Sequence, residues 1–397
     1  MKTSRWAKAG ALCGMLSALS LSCSSGAGSG VPMQTGGSGG TGAWVGGGEG
    51  AGTSGTGGSS ACAADLLSDP ANCGACGHDC GGGACAEGAC QPVNLYQGSV
   101  LPVLAKGPRG LWWVVVQNTG VNVAGTPTPG APIEFVSGAS AYFDYQVEGL
   151  WVRNQDLVVY SSKCCVGGGA HTLWVNTPGS ATWTDWTDLS SGQFIADIEV
   201  DDSYAYAAWV GTSFFMIRKS VQGQHDVIGQ YLVEDKGLAL DGEQLFAVTA
   251  DIAGTTEVRT LVRFSKSTFE ATPLGSGDMK PNGYANVHLQ AAKGLLVFAN
   301  SQGIASLPYA GGTPTQIVTT SSTITSIALD ENRVYWTEDP GGQPGIVMQA
   351  NRDGSSPRAI ASSPQPAAVI ADSDAIYWVD HGGDSSAGVY MKVKDAL

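Results

Sequence analysis

Histidine and cysteine offer this 397-residue chain its most direct route to acid–base, nucleophilic or metal chemistry, and their spacing argues against catalysis. The five histidines are His78, His171, His225, His288 and His381. None stands in an HExxH-type ligand spacing, and none accompanies a serine on a strand–turn–helix elbow. The string Gly36-Gly37-Ser38-Gly39-Gly40 imitates such an elbow only because its whole neighbourhood is Gly and Ser. Four of the histidines read as surface or strand-end residues. His381 differs, because Asp380-His381-Gly382-Gly383-Asp384 is a polar, Gly-rich loop after an aromatic run, where binding loops occur. Ca²⁺ between Asp380 and Asp384 is the one cofactor this pattern suggests. A calcium cage needs six or more oxygens, so no cofactor is expected.

Two tryptophans three residues apart, Trp183 and Trp186 in Thr182-Trp183-Thr184-Asp185-Trp186, would point to opposite faces of a strand. Either both pack between sheets, or one is exposed as a stacking platform for a sugar or peptide. Cys164 and Cys165 are adjacent, before a run of three glycines. A vicinal disulfide and a buried reduced pair are equally good readings, with a soft-metal site including His171 behind them.

The other cysteine cluster is denser. Cys62, Cys73, Cys76, Cys80, Cys85 and Cys90 crowd into one short stretch of chain, far too short for a self-sufficient core. Three disulfides supply what the core cannot, and the sequence does not choose among fifteen pairings. Cys73 and Cys76 have a zinc-like spacing, but structural zinc wants a second such pair. The run Asn72-Cys73-Gly74-Ala75-Cys76-Gly77-His78-Asp79-Cys80, with Cys85 and Cys90 after small spacers, resembles the Cys-rich repeat of stigma-specific-type proteins, also found in bacterial lipoproteins. The resemblance covers about residues 61–92 and implies an extracellular spacer or adhesion module without enzymatic activity.

Residues 1–22 have the layout of a signal peptide: Lys2, Arg5 and Lys8, then an apolar stretch from Ala9 to Leu21 too short to span a bilayer. The stretch ends at Leu19-Ser20-Leu21-Ser22-Cys23, which resembles a lipobox and implies lipidation of Cys23. Ser20 stands where the lipobox has leucine, which leaves plain secretion as the alternative. Residues 23–60 form a Gly/Ser/Thr/Ala tether with a reach of roughly 30–35 Å. The net charge of −14 becomes −17 once the three leader cations are removed, since no acid lies among those residues. That field repels phosphate backbones, so nucleic acid is not an expected partner.

From residue 93 to 397 the texture changes to short apolar and aromatic runs broken by Gly, Pro, Asn and Asp, such as Leu111-Trp112-Trp113-Val114-Val115-Val116. No helical stripe interrupts them, so the domain is predicted all-β. Two runs repeat closely: Ile327-Ala-Leu329-Asp330 leading to Val334-Tyr335-Trp336-Thr337-Glu338, and Val369-Ile-Ala371-Asp372 leading to Ile376-Tyr377-Trp378-Val379-Asp380. Weaker copies reach Asp201 and Asp241, and degenerate starts fit at Arg109, Asp156 and Lys293. The interval from Asp201 to Asp241 nearly equals that from Asp330 to Asp372, and the interval between Asp241 and Asp330 is about twice as long. A period in the low forties of strand–turn–strand units predicts a β-propeller, with seven blades as the count and six as the alternative. The Tyr-Trp-Thr-Glu and Tyr-Trp-Val-Asp strings resemble YWTD-type propellers. The last repeat has room for three strands, so a strand within Leu95–Leu104 is expected to complete it and close the ring.

The chain is therefore expected to be exported, tethered to the outer membrane or cell surface by lipid alone, or otherwise extracellular, and monomeric. Its propeller is expected to bind an extracellular or envelope protein or glycan. The alternative is an exported lyase or hydrolase working at the central channel, which would need histidines and carboxylates converging there.

Overall fold

The computed structural model describes residues 65–117, 120–136, 147–162, 171–186, 194–210, 214–220, 225–251, 258–279, 287–341, 343–382 and 386–395. Cys23, Cys62, Cys164, Cys165 and Asp384 lie outside these residues, as do the leader and the tether. Residues 61–397 form one compact unit, which contains both the cysteine module and the large domain.

The described strands build seven four-stranded antiparallel sheets and one two-stranded ribbon, with no α-helix among the described residues. In chain order the sheets span 100–135, 147–185, 194–229, 232–276, 290–319, 323–363 and 366–393. The first strands of the sheets touch one another in sequence, and Pro366–Ala371 of the seventh returns to Val100–Gly107 of the first. The ring is thereby closed. The architecture is a β-propeller.

The core explains why the sequence reads as unbroken apolar runs rather than alternation. Each sheet is covered on both faces, so both faces of its central strands must be apolar. Leu111, Trp113, Val115 and Ala124 of the first sheet pack with Tyr377, Val379 and Met391 of the seventh. Trp112, Val114 and Val123 pack on the other side with Leu150, Leu157 and Val159 of the second. A buried apolar cluster fills every other gap between successive sheets in the same way.

The repeated Asp and Tyr have a shared geometry. Asp330 Oδ1 accepts from the backbone of Asn332 and Arg333, while its Oδ2 accepts from the Tyr335 hydroxyl at 2.8 Å. Asp201 does the same with Ser203, Tyr204 and Tyr206, and Asp372 with Asp374, Ala375 and Tyr377. The carboxylate thus closes the turn between first and second strands and fixes the tyrosine five residues on. A lysine from the next sheet completes each latch: Lys266 on Asp201 at 2.6 Å, Lys394 on Asp330 at 2.5 Å and Lys106 on Asp372 at 3.3 Å. Burial opposes ionisation of all three carboxyls. Their lysines and backbone donors outweigh it and hold them below the usual carboxylate range.

The seventh sheet is completed from the other end of the chain. Val93–Gln97 pairs antiparallel with Gly388–Val393. This is the expected closure by the N-terminal segment, with its bounds corrected from Leu95–Leu104 to Val93–Gln97, because Val100–Gly107 is the first strand of the first sheet, paired with Gly110–Gln117. The separation falls at Gly98, whose φ of 146° turns the chain out of one sheet and into the next. Gly388 permits the closure, because a Cβ there would lie 2.1 Å from the Tyr96 carbonyl oxygen.

In the cysteine module, Cys73 bonds to Cys85 and Cys80 to Cys90, which commits these thiols and leaves no zinc-type pair among them. Cys76 is exposed and unpaired among the described residues. The four bonded cysteines form a buried knot against Val393, and His78 Nε2 lies 2.7 Å from the Lys394 carbonyl oxygen. The module therefore rests on the last strand of the chain.

Candidate functional site

The residues singled out from sequence do not converge. Trp183 is buried between the first and second sheets and Trp186 between the second and third. They point to opposite faces as the spacing requires, but neither is a stacking platform; both serve inter-sheet packing, with the Arg153 guanidinium 5.1 Å from the Trp186 ring. His381 lies at the surface, its Nδ1 2.7 Å from the Val100 carbonyl oxygen, joining the seventh sheet to the first. Asp380 is fully buried and accepts from the Ser363 hydroxyl and the Gly382 and Gln365 backbone, so its oxygens are taken up by its own turn and by the connection ahead of Pro366. The backbone strands carrying His171 and His225 are described, but not these side chains.

Two concavities among the described residues exceed about 300 Å³. The larger, about 690 Å³, is a cleft between Gly77–Asp79 of the cysteine module and the Asp330 and Asp372 turns. Both its lysines are engaged, Lys394 with Asp330 and Lys293 with Glu331 at 2.9 Å, so it reads as a seam between packed parts. The smaller, about 360 Å³, is lined by the first strand, or its lead-in, from all seven sheets. It is the axial channel of the propeller.

Most of that channel wall is Ala, Leu, Ile and Val, and one sector is not. Glu148 and Trp151 from the second sheet, Asp197 and Glu199 from the third, Lys236 from the fourth and His288 before the fifth all line it. β-Bulges place several of them: the pairing slips between Val147 and Gly149, between Ile195 and Asp197, and between Val233 and Leu238. A bulge re-aims a side chain that regular pleating would send elsewhere. Two residues of the sector also hold left-handed backbone, Lys236 at φ 54° and His288 at φ 48°. Each such conformation costs on the order of 1–2 kcal/mol in a non-glycine residue. The Leu289 amide donates to the Lys236 carbonyl at 2.9 Å, which ties these two segments together.

Asp197 is buried and strongly held. Its carboxylate accepts from the amides of Ile198 at 2.9 Å and Leu238 at 2.8 Å, and Lys236 Nζ stands 3.9 Å away. The bond to Leu238 crosses to the next sheet, as Ser326 does by accepting from the Val369 amide at 3.1 Å. Lys236 also donates to the Glu148 carbonyl oxygen at 3.4 Å. Glu199, two residues beyond Asp197, is half-buried. Desolvation first and the neighbouring Asp197 second raise its pKa to about 8, against the opposing pull of Lys236 and the Trp151 indole hydrogen bond. Glu199 is therefore mostly protonated at neutral pH. The Trp151 ring lies against Gly149, where a Cβ would come within 2.1 Å of the ring edge. For His288, desolvation and then the Lys236 charge lower the pKa to about 4, so the imidazole is neutral. The sector thus places a protonated carboxyl, a neutral imidazole and a lysine–aspartate pair on one wall.

Sequence reasoning passed over this sector, although one signal was present. In the aligned repeats the position of Glu199 is Ala328, Ala239 and Ile370 in the other copies. A carboxylate there is an outlier within an otherwise apolar repeat position.

No family model matches the sequence, and no curated protein matches it. Solved structures do match in fold. A structure of the mitotic checkpoint complex aligns at TM-score 0.52 and 13% identity, over 77% of this chain and 95% of that one. A prolyl endopeptidase aligns at TM-score 0.52 and 12% identity, over 77% of this chain and 51% of that one. A puromycin hydrolase aligns at TM-score 0.51 and 13% identity, over 72% of this chain and 50% of that one. The chain thus spans about half the length of the two enzymes it resembles. Likeness at such identity establishes the propeller fold alone.

Proposed function

We propose that this is an exported cell-envelope protein, lipid-anchored through Cys23 at the outer membrane or cell surface, whose seven-bladed propeller recognises an extracellular ligand in its axial channel. The observation that carries the reading is the polar sector of Glu148, Asp197, Glu199, Lys236 and His288, drawn from four parts of the ring. Asp197 and Lys236 also tie sheets together, but most of the rest of the wall is apolar. The bonds Cys73–Cys85 and Cys80–Cys90 support an oxidising compartment, and the basic n-region with the lipobox-like end supports export.

The test has two parts. Intact mass and detergent partitioning of the full chain made in a Gram-negative host should show a lipid increment that Cys23→Ala loses. A panel of glycans and peptides should then bind in a manner that Lys236→Met weakens at least tenfold. Binding untouched by Lys236→Met would move recognition away from the channel.

A second reading, an exported propeller enzyme, is favoured by one observation. Glu199 keeps a proton near neutrality while Asp197, two residues away, is held by a lysine and two amides. Paired carboxyls in contrasting surroundings suit acid–base chemistry. Turnover of a panel member, lost in Glu199→Gln, would establish it.

A further inference from the structure

His78 stands between two acceptors. Its Nδ1 lies 2.5 Å from the Cys73 carbonyl oxygen, inside the cysteine module, and its Nε2 lies 2.7 Å from the Lys394 carbonyl oxygen, on the propeller. A neutral imidazole carries one N–H, so it donates to one carbonyl and turns a lone pair on the other, whereas the imidazolium donates to both. Both carbonyls are held in place. Cys73 is fixed by its bond to Cys85 and by its amide, which donates to the His78 carbonyl at 2.9 Å. Lys394 is fixed by its amide on the Asp374 carbonyl at 2.9 Å and by its ammonium on Asp330. The charges that share the cleft with the ring favour a cation there. Asp79 comes from the module, Asp330 and Glu331 from the turn of the sixth sheet, Asp372 and Asp374 from that of the seventh, and Asp395 follows the last strand. Against these carboxylates stand Lys293, Arg333 and Lys394, and both lysines are already paired.

We propose that His78 is a pH-sensitive clasp: as the imidazolium it fastens the cysteine module to the propeller, and on giving up its proton it loosens that attachment. This goes beyond the recognition reading and does not depend on it. In the release one N–H bond of the ring breaks, the proton leaves to buffer, and one of the two hydrogen bonds becomes a contact between lone pairs. Native contacts that favour a protonated form contribute stability at acid pH that is lost as pH rises. Val393 against the buried cysteines and Met391 against Gly81 are apolar contacts that pH does not touch, so they keep the module near the propeller in either state. The clasp therefore governs how firmly the module is held, not whether it is attached. Because the module precedes the propeller in the chain, pH sets how rigidly the propeller is presented by the segment ahead of it.

Amide hydrogen exchange on the full chain tests the clasp, with protection in Cys73–Gln91 expressed relative to that in Gly110–Gln117, a strand remote from the seam. Taking this ratio removes the intrinsic pH dependence of exchange. In the unaltered chain the ratio should fall by roughly tenfold between about pH 5.5 and pH 8.5, the effect of losing one charge-assisted hydrogen bond. Glutamine has a single donor nitrogen and does not titrate, so His78→Gln should hold the ratio at the lower level throughout. The fall in the unaltered chain is read without the variant, so it decides the matter even if His78→Gln folds poorly. A ratio that is constant with pH in the unaltered chain overturns the proposal. So does an equal fall in His78→Gln, which would place the titrating group elsewhere in the seam. Neither outcome bears on ligand binding in the channel, which the glycan and peptide panel decides separately.

Discussion

Replacing Glu199 by Gln should change how stability depends on pH, in a direction fixed by the channel. In the folded chain the Glu199 carboxyl is raised from 4.5 to about 8, so between those values the native state keeps a proton that the unfolded chain releases. A raised pKa contributes stability that is complete below the unfolded value and is lost as pH climbs through the folded one. The full separation corresponds to roughly 3–5 kcal/mol at 1.36 kcal/mol per unit. His288 works the other way: its pKa is lowered from 6.5 to about 4, so its contribution is complete above pH 6.5 and lost as pH falls toward 4. In the wild-type chain the two partly cancel between pH 4.5 and 6.5, and only the Glu199 slope remains from 6.5 to 8. Glutamine cannot ionise, so Glu199→Gln should match wild type near pH 5 to within about 1 kcal/mol and exceed it by several kcal/mol at pH 8.5. Urea unfolding at fixed ionic strength, at half-unit steps from pH 5 to 9, reads the difference with the His288 contribution common to both chains. A difference that is flat across this range, or that favours wild type at high pH, would refute the placement of Glu199 in a desolvated channel.

Four further outcomes follow from the packing. Tyr335→Phe removes the hydroxyl donor from Asp330 and should cost about 1 kcal/mol, whereas Asp330→Ala also strands two backbone amides and Lys394 and should cost about 2–4 kcal/mol by chemical denaturation. Because the latch carboxyls are lowered in pKa, their contribution is present above the unfolded carboxylate range and is lost on acidification below it, which acid unfolding of Asp330→Asn against wild type would show. Gly388→Val drives a side chain into the Tyr96 carbonyl and should release Val93–Gln97, seen as loss of amide-exchange protection there and a fall in Tm of at least 5 °C. Trp186→Ala should lower stability by about 3–5 kcal/mol and leave binding of the glycan panel unchanged once folding is restored by cooling.

The fold was readable because the propeller repeats its chemistry. Asp330 and Asp372, each with a tyrosine five residues on, mark the same turn in adjacent sheets, and the spacing of such turns counts the sheets. What the sequence did not reveal were the lysines. Lys106, Lys266 and Lys394 join their carboxylates across sheets, from positions remote in the chain, so no local pattern announces them. The site was hidden for a related reason. Lys236 and His288 reach the channel through bulges and left-handed backbone, which a regular strand pattern does not anticipate. Trp183 and Trp186 attracted attention by composition, yet a sheet covered on both faces has room for large aromatics on either side.

The sheet shared by Val93–Gln97 and Gly388–Val393 has a consequence for how the molecule is made. Its partners come from the two ends of the large domain, so the ring cannot close until almost all of it has been made. Until then the earlier sheets can stack, but the open ends of the stack present unpaired strand edges and bare apolar faces such as Leu111, Trp113 and Val115. Closure therefore waits for the last strand, and until then those edges and faces are open to aggregation and to proteolysis.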